Sequence, residues 1–227
     1  MTQSTPAPKS THIVVLLDRS GSMESIASDV IGGYNSFIKQ QRQNGADAIV
    51  TLVQFDSDDS HEVVYEGISL DKVPALTSKT FIPRGSTPLF DATGQLVAKI
   101  REQQAIDSRA TDQQPDVVFV TITDGEENAS SEYNLSRIRD LVANCETQGW
   151  TFVYLSAGID AFADADQIGM KTGRTRAFRA SKAGTDAMFD ALSVNMLMLR
   201  DKKRRGMDTS NDDFFDEDKV NRILGDD

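Results

Sequence analysis

Apolar runs of a few residues alternate along this chain with longer stretches in which apolar side chains recur every three or four positions. The runs "HIVVLLD", "AIVTLVQFD", "DVVFVTITDG" and "WTFVYLSAG" have no polar alternation. That pattern predicts strands buried on both faces, as in a parallel sheet covered by helices. Between them, Ile26, Val30, Phe37 and Ile38 share one helical face, and Asn44-Gly45 is a stop signal. "HEVVYEGI" follows the second run after a "SDDS" turn, which predicts a hairpin and one antiparallel strand at or near an edge.

Residues 71–90 carry Pro74, Pro83 and Pro88 and little periodicity, and a helix is expected from about Leu89 to Gln104. Leu135, Ile138, Leu141, Val142 and Cys145 mark the inward face of the next helix. A short helix near residues 161–168, a strand near 176–179 and a helix from about Thr185 to Leu199 complete the series. Strands alternating with helices give an α/β, Rossmann-like, doubly wound sheet that is mostly parallel, with helices on both faces. The organisation expected is a disordered Pro/Ser/Thr-rich leader (1–10), one domain (11–200) and a basic-then-acidic tail (201–227).

The bulk numbers narrow the chemistry. A net charge of -11 argues against nonspecific attraction to nucleic acid or anionic membrane, and it suits a divalent cation. One cysteine, Cys145, excludes an intrachain disulfide, and its helical spacing among apolar residues marks it as core. No basic segment leading into a long apolar stretch opens the chain, and no run is long enough for a membrane span, so a cytoplasmic location is expected.

Three polar pieces stand out where apolar runs stop. Asp18 ends the first run and opens Asp18-x-Ser20-x-Ser22; Asp124 ends the third, with Gly125 after it; Thr87 lies in "GSTP" just before a helix. In open α/β sheets, ligands bind beyond the carboxyl ends of strands where strand order reverses, so two strand-end aspartates can meet in one crevice. A Ser/Asp-rich turn capping a helix is the simpler reading of the first piece alone. All three in order resemble the metal-ion-dependent adhesion site of von Willebrand factor type A domains, and the element succession over about 11–200 resembles that fold.

The resemblance implies a metal held by Asp18, Ser20, Ser22, Thr87 and Asp124, with the aspartates acting largely through water or the serines. It implies Mg2+, with Ca2+ or Mn2+ as alternates, and a protein partner that offers the metal an Asp or Glu carboxylate. It further implies a bacterial, cytoplasmic adaptor beside ATPase, chaperone-associated or stress-response systems, including tellurium-resistance-like modules.

Around the core set, Asp91 is read as a favoured acid of a helix's first turn, with orienting the Thr87 loop as the alternative; Glu126 and Glu127 are read as solvated rim charges, with repelling or selecting a partner as the alternative; Arg19 and Met23 flank the site, within reach of a partner. The alternative function is a metal-dependent hydrolase or phosphatase using the same site. Against it stand serines where a phosphotransferase needs a second carboxylate or nucleophile, no G-x-S-x-G elbow, and "GMKTGRT", which fails P-loop spacing. No enzyme activity is therefore expected. The run Lys202–Arg205 reads as a solvated helix end rather than a nucleic-acid patch, and the Phe- and Asp-rich tail is a candidate docking motif for a partner.

Overall fold

A computed structural model describes residues 10–45, 47–108, 114–158 and 160–215. Its centre is a six-stranded sheet in the order β3-β2-β1-β4-β5-β6. Strand β1 (Thr11–Asp18) is buried along its whole length and pairs in parallel with β2 (Ala48–Phe55) on one side and β4 (Asp116–Thr123) on the other. Strand β3 (Glu62–Ser69) is the antiparallel edge, and β5 (Thr151–Ser156) and β6 (Thr175–Ala177) extend the other side in parallel. The mostly parallel, doubly wound architecture read from the sequence is the one observed.

Successive strand residues feed opposite cores, as the pleat requires. Ile13, Val15 and Leu17 of β1 join a core under α1 (Ala27–Gln43) and α5 (Lys182–Arg204). Val14 and Leu16 join the opposite core under α2 (Leu89–Asp107), α3 (Leu135–Thr147) and α4 (Ala161–Gln167). Helices α1 and α5 approach closely at Gly33, where an added Cβ would lie 2.1 Å from the Phe189 ring. Cys145 is fully buried in the second core, and burial pushes its thiol up to about 11.

The carboxyl-terminal region departs most from expectation. Residue 200 lies inside α5, which continues to Arg204, and Arg200 itself is fully buried. Its guanidinium donates to Asp47 Oδ1 at 2.7 Å and to the Gly45 carbonyl at 2.9 Å. Arg204 also pairs with Asp47, Lys202 with Asp212, Lys203 with Asp116 and Arg205 with Asp201. Although partial burial opposes it, Arg204 and Arg200 hold the Asp47 carboxyl below its ordinary range.

Beyond α5 the chain turns back on the domain. Phe214 is buried in the first core, and Phe215 N–H donates to the Gly173 carbonyl at 2.9 Å. Buried Arg174 ties this return down through the Ser210 carbonyl (2.7 Å) and Glu146 (2.9 Å). The expected leader, apart from Ser10, and the tail from residue 216 onward lie outside the described residues.

Candidate metal centre

The strand order reverses at β1 and β4, whose carboxyl ends lie side by side because Leu17 is in register with Ile122. Asp18 therefore ends one strand beside Thr123, the last residue of the other, and Asp124 follows directly. A 3-10 turn, Gly21–Ile26, carries the serines from β1 into α1.

Asp18 is fully buried and both its carboxylate oxygens accept hydrogen bonds: Oδ1 from Ser20 N–H at 2.6 Å and Oδ2 from the Thr123 hydroxyl at 2.6 Å. Ser20 Oγ lies 3.1 Å from Ser22 Oγ, and the Ser22 hydroxyl donates to Asp124 Oδ1 at 2.6 Å. A chain of polar contacts thus runs from Asp18 through both serines to Asp124. Thr87 closes the ring from the far loop. A Cβ added at Gly125 would lie 3.3 Å from Thr87 Oγ1 and 3.8 Å from Ser22 Oγ, so both hydroxyls border one space that glycine leaves open.

Backbone contacts hold the Thr87 loop in place. Gly21 N–H donates to the Gly85 carbonyl (3.1 Å), Arg84 N–H to the Arg19 carbonyl (2.7 Å), and Thr87 N–H to Asn128 Oδ1 (2.9 Å). Gly85 has φ 66, a left-handed conformation natural to glycine, and an added Cβ would sit 2.5 Å from Ser57 Oγ. All five residues singled out from the sequence converge here. Asp18, Ser20 and Thr87 form the buried floor, while Ser22 is exposed and Asp124 half-buried.

The electrostatics follow from that placement. Burial pushes the Asp18 carboxyl up to about 6, against the lowering effect of the Thr123 and Ser20 donors. Burial also raises Asp124. Hydroxyl and carboxylate oxygens are the donors a hard divalent ion takes. Among the described residues, no group of three or more His, Cys, Asp or Glu is placed to hold a metal, so any ion here would rest on hydroxyls as much as on acids.

Several neighbours behave differently from expectation. Asp91 does not simply sit in the first turn of α2; its carboxylate accepts the Ser131, Glu132 and Tyr133 N–H groups at 2.7–2.9 Å, pinning the loop before α3. Glu127 is no solvated rim charge, since it accepts from Phe90 N–H, Ala129 N–H, Ser130 N–H and the Ser130 hydroxyl. Met23 is a core residue, and Arg19 is buried and paired with Asp56 and Glu62.

Two contributors were not singled out from the sequence. Thr123 orients Asp18, and a hydroxyl inside the apolar run just before Asp124 is the signal that could have found it. Asp56, after β2, is buried and binds Arg19 and Arg84 together with the Asp58 and Asp59 amides. Nothing local in "FDSDDS" distinguishes it from a turn residue.

Comparison with known proteins agrees with this fold. The family model for the von Willebrand factor type A domain matches residues 12–191. No curated protein matches the chain in sequence. A von Willebrand factor type A structure from Catenulispora acidiphila is 14% identical with a TM-score of 0.58, over 83% of this chain and 43% of that one. Proximal thread matrix protein 1 from the mussel byssus, with its MIDAS motif occupied by zinc, is 13% identical (TM-score 0.56, 84% and 48% covered). Manganese-loaded TRAP protein of Plasmodium vivax is 17% identical (TM-score 0.54, 82% and 74% covered). The chain spans less than half the length of the first two, and identities this low establish the shared fold alone.

Proposed function

This chain belongs to the von Willebrand factor type A domain family, and from that membership we propose that it is a divalent-metal-dependent protein–protein interaction module. The residues assigned to the metal are Asp18, Ser20, Ser22, Thr87 and Asp124, and the ion proposed is Mg2+. The observation that carries the reading is the engagement of both Asp18 oxygens by protein donors. Asp18 is thereby suited to fixing Ser20 in position, which leaves the hydroxyls of Ser20, Ser22 and Thr87 as the main direct donors.

A cation held mainly by neutral oxygens supplies an electrophilic position that favours a partner's Asp or Glu carboxylate. Ser22 and Asp124, on the open side, are the residues such a carboxylate would meet first. Structures that share the fold, one with zinc in its MIDAS motif and one loaded with manganese, support a divalent metal in general. We assign the chain no catalytic step. Among the described residues no helix is long and apolar enough to cross a membrane. The role proposed is a cytoplasmic adaptor in a bacterial stress-response or ATPase/chaperone-associated system, by analogy with other members of the fold.

Titration with Mg2+ and Mn2+, beside pull-downs with and without chelator, tests the reading. The expected result is one ion per chain, with Ser20→Ala/Ser22→Ala weakening it by more than about tenfold and abolishing chelator-sensitive capture. The melting temperature should move little, because Ser22 is exposed and each change removes only one small hydroxyl. No uptake of either ion, or loss of fold in step with loss of binding, would refute it.

A further inference from the structure

A cavity of about 330 Å3 adjoins the metal centre and is not used by it. Its walls are apolar, from Leu89, Phe90, Leu135 and Ile168. Its polar groups are Glu126, two residues after Asp124, and Glu127, with Asp164 and Gln167 on α4 and the hydroxyl of Tyr154 on β5. Tyr154 is fully buried, and its hydroxyl makes no hydrogen bond; Ser156 is near but outside hydrogen-bonding geometry. Asp164 Oδ2 is likewise buried without a hydrogen-bond partner. A buried phenol and a buried carboxylate oxygen left unmatched are costly unless a ligand completes them. The charges also crowd: burial first, then Glu126 and Asp160, push the Asp164 carboxyl upward.

We propose that this cavity receives a long cationic side chain, arginine or lysine, from the partner whose carboxylate is offered to the metal. The apolar walls suit the methylene stem, while Glu126, Asp164 and the Tyr154 oxygen accept from the head group. Glu127, also in the lining, is held in place by Phe90 N–H and by the Ala129 and Ser130 amides. The partner surface this selects presents an acid and a base close together, so a bare acidic peptide is a poor match. The pocket's role rests on the metal-centred reading above, but its chemistry is independent of the metal.

The test is therefore made with fragments and no partner, by two-dimensional NMR of the 15N-labelled full chain. The probes are Nα-acetyl-arginine methylamide, the lysine equivalent, and the uncharged citrulline analogue. Saturable shifts of amides around Glu126, Leu135 and Asp164 are expected with the two cations. Citrulline should bind at least about tenfold more weakly, as should arginine to Glu126→Gln/Asp164→Asn. Glu126 is exposed, so Glu126→Gln alone provides a folded variant with a smaller loss in the same direction.

Binding should persist in Ser20→Ala/Ser22→Ala, which separates failure of the pocket from failure of the metal reading. Equal response to citrulline, no response at all, or no effect of the variants would overturn the proposal. Mn2+ broadening centred on Asp164 in the serine double variant would make the cavity a second metal site. Tighter binding of spermidine than of either peptide-like cation would assign it to a free polyamine. Either outcome would overturn the partner assignment.

Discussion

Both carboxylate oxygens of Asp18 accept from the protein's own donors, Ser20 N–H and the Thr123 hydroxyl, at the buried end of β1. Burial sets the behaviour of a second residue on the same strand. His12, against Thr51 Oγ1 at 2.8 Å, is lowered to about 4, chiefly by burial. A histidine whose folded value lies below its unfolded value stabilises the fold fully above about pH 6.5. That stability is lost as pH falls toward 4, because the unfolded chain takes up the proton first. The difference corresponds to a loss on the order of 3 kcal/mol over that window. Urea unfolding at pH 7, 5.5 and 4 should show wild type losing stability relative to His12→Gln as the pH drops. A gap between the two that does not change with pH would contradict the burial argument.

At the scale of elements, the contact of α1 with α5 depends on the missing side chain at Gly33. Gly33→Ala should force the Phe189 ring aside and cost about 1–3 kcal/mol, or roughly 2–12 °C in melting temperature. An unchanged melt would mean that the two helices can separate freely. The strands were legible because runs such as "IVVLL" are too apolar to have a wet face, and the strand ends then placed Asp18 and Asp124 together. The end of α5 was harder to read. "RDKKRR" looks solvated in one dimension, whereas Arg200 and Lys203 are buried against carboxylates distant in sequence. Asp91 and Glu127 were misread for a related reason: their partners are backbone amides of a loop whose path no local pattern specifies.

Across the whole molecule, the two ends of the sheet have separate tasks. The carboxyl edge carries the polar site, while residues 206–215 pack near the opposite edge, where Thr151 begins β5, and insert Phe214 into the core. Removing residues 208–227 should therefore cost about 3 kcal/mol of stability and leave Mg2+ affinity unchanged. Calorimetry of the truncated and full chains decides it; weakened Mg2+ binding at equal foldedness would couple the two ends. The pairing of α1 with α5 also bears on synthesis. Gly33 leaves the ribosome well over a hundred residues before Phe189. At roughly 5–20 residues per second, the greasy flank of the nascent sheet stays uncovered for on the order of ten seconds or more. Nascent chains should therefore expose this face to holdase chaperones until α5 emerges.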